Sequence, residues 1–201
     1  MERVFKLLKS IPIDLGQETV ANRTRGKVIA MEFAGNGRGK KALDIGCGKG
    51  RQSEILIKKG FDVISVDKTK QYEKCRTVDA DRMLPFKDNS FDLVWASEVI
   101  EHLANVKSAI NEFRRVLRPG GKMILTTPNS YFILMKPFYW LKYKPKDLQN
   151  KEHLHFFNYE DVRKLFPESA IYGYFPYFFI KFRIKYLAGL LSPTFIIIDK
   201  K

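Results

Sequence analysis

Two cysteines and three histidines are all that 201 residues offer in thiol and imidazole chemistry. So sparse a thiol content excludes a disulfide framework, suits a reducing cytoplasmic compartment, and makes neither Cys47 nor Cys75 a metal site. Missing too is any uninterrupted apolar run of about 18 residues, so no helix is expected to span a bilayer. The opening stretch MERVFKLLKSIPIDLG is basic and amphipathic, but no apolar core leads to a small-residue cleavage site, and it does not read as a signal peptide. Low-complexity tracts and internal repeats are absent. Acidic residues are in deficit, 22 against 36 basic ones, for a net charge of +14. That surplus suits contact with a polyanion such as nucleic acid or an anionic lipid surface, and equally a lysine-rich solvated surface. Hydrophobic residues make up 45% of the chain and charged residues 29%, which fits one folded domain and excludes disorder.

The spacing of Val20, Val28, Ile29, Met31 and Phe33 predicts a helix over Thr19 to Phe33, stopped by AGNGRG. The period then changes. KALDIG reads as a buried strand, GCGKG as a tight turn, SEILIKKG as a helix closed by Gly60, and FDVISVD as a second strand, together one parallel crossover unit. A turn region around Asp79, strand FDLVWAS, a helix from about Asn105 to Leu117, the turn RPGG and strand KMILTTP repeat the alternation. Val106, Ala109, Ile110, Phe113 and Leu117 give that helix one apolar stripe. The fold class is therefore α/β, a doubly wound, mostly parallel sheet with helices on both faces and ligands beyond the carboxyl ends of its strands. After Asn129, prolines 137 and 145 interrupt an aromatic and basic segment; YEDVRKLF then predicts a short helix, and AIYGYF and TFIIIDK two late strands. Between these strands FFIKFRIKYLAGLL mixes apolar and basic residues at near-helical spacing.

DIGCGKG puts Gly46, Gly48 and Gly50 directly after a strand, where backbone amides and a helix N-terminus can face a ligand. A dinucleotide site uses a similar turn, but its third glycine would fall where this chain has Arg51. Asp44 separates the alternatives further. A carboxylate near the end of an apolar strand needs compensation, which the ammonium and sulfonium of S-adenosylmethionine supply and the pyrophosphate of NAD does not. Alternatively Asp44 only braces the turn. Asp67, ending the second strand, can accept both hydroxyls of a ribose, and Asp79 with the Ala80 amide can read an adenine edge.

Taken together, LDIGCGKG, VDADRMLPFKDNSFDLVWASEVIEHL and RRVLRPGGKMILTTPN resemble the class I methyltransferases of the small-molecule and quinone-biosynthesis type over about half the chain. EHLHFFNYEDVRKLF also looks like the segment these enzymes place before their penultimate strand. The resemblance implies a Rossmann-like sheet of seven strands with an antiparallel last strand, binding S-adenosylmethionine and releasing S-adenosylhomocysteine. It implies cofactor contacts from Asp44, Gly46, Cys47, Gly48, Gly50, Asp67, Lys68, Asp79 and Ala80, with a carbonyl near Ala96 or Ser97 for the methionine ammonium. On this reading residues 1–38 form a helical cap, 39–129 the cofactor core, 130–160 a lid or acceptor insert, and 161–201 a closing helix and strands. FPESAIYGY replaces the family's Gly-Phe turn, and the insert lies outside the shared core.

Methyl transfer from a sulfonium is an in-line displacement, so alignment and exclusion of water dominate and a base serves only some acceptors. Candidate bases are Glu98, Glu101 and His102 near the fourth strand, and His153 and His155 later. His102 could instead cap or pack the next helix. His153 and His155 point one way if their segment is extended, lining a pocket or a metal pair; without a placed carboxylate, metal is not expected. From Tyr131 to Lys146, aromatics interleave with Lys136, Lys142, Lys144 and Lys146, fitting an RNA platform, an anionic membrane surface around a lipid-like acceptor, or a lid with snorkelling lysines. The rival functions are a scaffold that binds the cofactor without turnover and, against the glycine spacing, an NAD-dependent oxidoreductase.

Overall fold

The computed structural model describes residues 26–175 and 182–201. Helix α1 is Gly26–Glu32, so the predicted start of that helix, residues 19–25, lies outside the described residues. The first crossover follows as β1 (Lys41–Ile45), α2 (Arg51–Lys58) and β2 (Asp62–Asp67). Gly60, at φ 91°, ends the unit's helical part as the sequence indicates. Next come β3 (Cys75–Thr77), β4 (Phe91–Ser97), a 3₁₀ turn (Ile100–His102), α3 (Val106–Val116) and β5 (Leu117–Pro128).

The insert folds as a 3₁₀ turn (Ile133–Met135) and two short helices, α4 (Lys136–Trp140) and α5 (Pro145–Leu148), each carrying its proline in the first turn, where no amide is lost to the ladder. The chain closes with α6 (Tyr159–Leu165), β6 (Ala170–Tyr174), β7 (Arg183–Ile184), α7 (Ala188–Leu191) and β8 (Thr194–Lys200). Asn105 caps α3 by accepting from the Ser108 amide at 3.1 Å, and Asn158 and Asp161 form a reciprocal capping box on α6.

Strand order is β3-β2-β1-β4-β5-β8-β6-β7. The first five strands run parallel and β8 lies antiparallel to β5, as expected for the last strand. Eight strands replace the expected seven, because the two-residue β7 joins the outer edge of β6. RPGG is not a free turn but part of β5, with a register shift against β4 between Phe91 and Leu93. Alternation sorts the side chains into two cores. Leu43, Ile45, Val94, Ala96 and Leu125 pack beneath the α3 stripe of Ile110 and Phe113 and beneath Val162 of α6. Ala42, Leu93, Trp95, Ile124 and Ile196 pack beneath α1 and Leu56 of α2. Asp44, two residues on from Ala42, therefore faces the second core.

Candidate cofactor and active site

β1 delivers Asp44 to the sheet's rim, and α2 folds back so that Ser53 Oγ donates to its carboxylate at 2.5 Å; Ser65 Oγ of β2 in turn donates to Ser53 at 2.8 Å. Asp44 is buried, and desolvation raises its pKa from 3.8 to about 7, with Asp67 adding repulsion; the Ser53 hydrogen bond and Lys27 act the other way. Gly46, Gly48 and Gly50 all sit at positive φ, which glycine alone adopts without cost. A Cβ on Gly46 would meet Val99 Cγ2 at 2.4 Å, and one on Gly50 the Tyr72 ring at 2.5 Å. A Cβ on Gly48 would meet nothing within 4 Å. Gly46 and Gly50 thus let protein pack against the loop, while Gly48 leaves its outer side open. A cavity of about 690 Å³ opens there, lined among others by Asp44, Gly48, Lys27, Trp95 and Ser97.

The amides of Gly46 and Cys47 donate to the Val66 carbonyl, and that of Gly48 to Asp67 at 2.8 Å. The other Asp67 oxygen accepts from the Thr69 amide at 3.0 Å. That oxygen also accepts from the Thr69 hydroxyl at 3.4 Å, so it is Oδ2 that keeps a second lone pair for a ligand hydroxyl. Lys68 beside it is exposed. The Val78 amide donates to the Asp67 carbonyl, bringing half-buried Asp79 and Ala80 alongside the end of β2; Asp79 accepts from the Asp81 amide and lies 3.7 Å from Arg82. Ala96 is buried and registers with Ile45 across β1 and β4. Ser97 shares a 2.7 Å hydrogen bond with Thr126, which donates to Glu98. Of the cofactor residues that the sequence singles out, Asp44, Gly46, Cys47, Gly48 and Ser97 line this cavity, whereas Gly50, Asp67, Lys68, Asp79, Ala80 and Ala96 lie outside its lining. Ser53, Lys27 and Trp95 had no sequence signal: each acquires its place only when α1 and α2 pack over β1 and β4. Trp95 Nε1 is buried there without a partner.

On the other side of the strand ends, Glu101 is buried, with Thr127 Oγ1 donating to Oε2 at 3.0 Å and Oε1 unpartnered. Burial, and then repulsion from Glu98, push its carboxyl well above the usual range. The Glu101 carbonyl accepts from the amides of Leu154 and His155, which carries the HLHFF segment to this corner. The three histidines diverge in role. His102 Nδ1 faces the Glu152 carbonyl at 3.1 Å, so Nδ1 carries the proton and Nε2 the free lone pair. His155 Nε2 meets the Leu103 carbonyl at 2.9 Å, tying that ring to the loop. His153 packs edge-on to His102 at 4.7 Å; burial, and then His102, lower its pKa to about 4. The segment bends at Leu154 instead of running extended, with His153 against His102 and His155 against Leu103. Glu101, His102 and His153 offer donor atoms up to 4.8 Å apart. Two ligands with bonds of about 2.1 Å span at most about 4.2 Å across one ion, so this set would have to contract to hold a metal.

Residues 43–125 match the family model described as a methyltransferase domain. The ubiquinone biosynthesis O-methyltransferase of Pseudomonas aeruginosa (strain UCBPP-PA14) is 34% identical over 105 positions, covering 45% of each chain. That of Caulobacter sp. (strain K31) is 34% identical over 117, covering 49% of this chain and 46% of the relative. The chain spans about half the length of the curated relatives it matches. A crystal structure of a SAM-dependent methyltransferase from Archaeoglobus fulgidus superposes with a TM-score of 0.65 at 17% identity, covering 87% of this chain and 92% of that one, a likeness of fold. Among the described residues no helix is long and apolar enough to cross a membrane. Sheet order, glycine loop and matched segment agree in placing a methyltransferase-like core over residues 43–125.

Proposed function

We propose that the protein transfers a methyl group from S-adenosylmethionine to an oxygen, nitrogen or carbon of an acceptor held beneath residues 130–160. The observation that carries this reading is the Asp44 carboxyl, buried and raised to about 7 beside the open face of Gly48. A cation lodged there regains the electrostatic energy that burial costs the carboxylate. Bound adenosylmethionine supplies a methyl group activated by its sulfonium. Asp44 and the loop of Gly46, Cys47, Gly48 and Gly50 would hold the amino-acid end, with the carbonyl of Ala96 or Ser97 accepting from its ammonium. Asp67 would accept from the ribose with Lys68 at its edge, and Asp79 and the Ala80 amide would read the adenine.

For an acceptor with an acidic proton, His102 is the base of choice. Its Nε2 lone pair is free, whereas His155 is tied to Leu103 and His153 is a weak base. The relatives named as O-methyltransferases favour a hydroxyl as the acceptor group. Titration calorimetry with adenosylmethionine and adenosylhomocysteine tests the cofactor half, and label transfer from methyl-labelled cofactor to lipid, RNA, protein and small-molecule fractions tests turnover. Absence of binding at millimolar ligand in wild type, with Asp44→Ala no different, refutes the proposal. Binding without transfer to any fraction would leave a scaffold.

A further inference from the structure

The insert after β5 and the segment before β8 are far apart in sequence, yet they are pinned together outside the sheet. Asn129 Nδ2 donates to the carbonyls of Gly189 and Ser192, both at 2.8 Å, and α7 packs on the 3₁₀ turn Ile133–Met135. Phe132, Met135 and Leu148 form a small core of their own beneath the insert. What these two segments turn outward is apolar to an unusual degree. Trp140 is 86% exposed, Leu141 62%, Tyr186 83% and Leu187 63%, and Ile133 and Leu190 are exposed as well. Large apolar side chains exposed on two segments that pack on one another mark a surface that is covered in use.

The surrounding charge is mostly basic, with Asp147, which accepts from the Lys144 amide, at its edge. Residues 131–146 and 182–193 contain no aspartate or glutamate, and Lys136, Lys142, Lys144, Lys146 and Lys185 are all exposed. No ion pair among the described residues engages any of the five. The only other basic residue of these two segments, Arg183, is turned elsewhere, over the rings of Phe33 and Tyr172.

We propose that this face docks on an anionic lipid bilayer, with Trp140, Leu141, Tyr186 and Leu187 entering the headgroup boundary and the five lysines resting on lipid phosphates. The mixture of side chains favours lipid over nucleic acid. Aromatic rings could stack bases, but Ile133, Leu141, Leu187 and Leu190 gain nothing from a base and do gain from hydrocarbon. Tryptophan and tyrosine with lysines around them are the composition of an interfacial anchor. This docking goes beyond the methyltransferase reading and does not depend on it.

The test is sedimentation of the full chain with vesicles of phosphatidylglycerol and phosphatidylcholine against vesicles of phosphatidylcholine alone. Binding is expected only to the anionic vesicles and is expected to weaken with salt. Each lysine neutralised by glutamine should lower partitioning about fivefold, and Leu141→Ser with Leu187→Ser roughly tenfold or more. Of the two tryptophans Trp95 is already buried, so a blue shift of emission on vesicle binding reports Trp140. Circular dichroism of each variant checks that these surface changes leave the fold intact. Equal binding to both vesicle types, binding indifferent to the serine substitutions, or a single-stranded oligonucleotide bound through this face in place of vesicles would each overturn the proposal. Vesicle binding without affinity for adenosylhomocysteine would sink the methyltransferase reading and leave this one standing.

Discussion

If Asp44 takes up the cationic end of the cofactor, binding must compete with a proton, and the competition can be worked out from the burial. With a folded pKa of about 7, the carboxyl is roughly ten parts protonated to one ionised at pH 6 and the reverse at pH 8. A ligand that binds only the ionised form loses about 1.4 kcal/mol at pH 6, a tenfold weaker apparent affinity. Above pH 8 the trend reverses, because an α-ammonium of pKa about 7.7–8.0 begins to lose its own charge. The affinity for adenosylmethionine should thus rise about tenfold from pH 6 to a maximum between pH 7 and 8. Calorimetry in buffers of different ionisation enthalpy should count close to one proton released per ligand at pH 6. Asp44→Asn keeps an acceptor for Ser53 but cannot ionise, so it should bind about tenfold or more weakly at pH 7.5 and lose the acid limb. An affinity flat from pH 5.5 to 7.5, or an acid limb surviving in Asp44→Asn, refutes the electrostatic reasoning. The same shift acts on folding. Asp44 costs nothing at pH values below 3.8, where both folded and unfolded chains are protonated; the cost grows as pH rises and is complete above 7, up to about 4 kcal/mol. Saturating cofactor should remove most of it.

His153 behaves oppositely: its lowered pKa costs stability as pH falls from 6.5 towards 4, so His153→Gln should resist acid unfolding better than wild type in denaturant titrations at pH 5. Gly48→Ala should cost roughly 1–2 kcal/mol in urea unfolding from its positive φ alone, yet weaken cofactor binding by tenfold or more, because its methyl enters the open side. Gly46→Ala, which drives a methyl to 2.4 Å from Val99, should lose more stability than Gly48→Ala in the same assay. Arg115 binds Glu112, Asp88 and the carbonyls of Leu84 and Phe86, and Arg115→Ala should cost roughly 2–3 kcal/mol in urea, with Arg115→Lys only partly restoring it because the fork is lost.

Local signals carried much of this architecture. The change from period two to period 3.6 and back, punctuated by Gly46, Gly60 and Gly120, marks β1, α2, β2, α3 and β5 without tertiary information. The three residues of β3 and the two of β7 are too few to show any period, and both strands form only because a longer neighbour offers its edge. At the site, Asp44 was legible because a lone acid in KALDIG breaks an apolar run. Its partner Ser53 was not, since a serine in a first helical turn looks like any other polar residue until the helix folds back. Glu101 stood among the candidate bases in the sequence, but its burial was not legible there, since the segment whose Leu154 and His155 amides meet its backbone carbonyl lies some fifty residues on.

The sheet's own alternation separates the two halves of the proposed reaction. Asp44 registers with Trp95 and Trp95 with Ile124, and Thr126 lies two residues beyond Ile124, so these side chains share the face under α1 and α2. Thr127, one residue on, must face the opposite layer, and there it donates to Glu101. Glu98 is held on the first face by Thr126, with its own backbone at φ 57°, a left-handed turn that swings the chain from one layer to the other. Adjacent threonines therefore bond two different carboxyls, Thr126 that of Glu98 and Thr127 that of Glu101. Glu101 sits where a negative charge is disfavoured by burial and by Glu98, so under the proposed reaction a neutral carboxyl there would not hold a proton taken up beside it in an ion pair. Thr127→Val would strip Glu101 of its hydroxyl donor and make ionisation harder still, while leaving the Asp44 niche on the opposite face untouched.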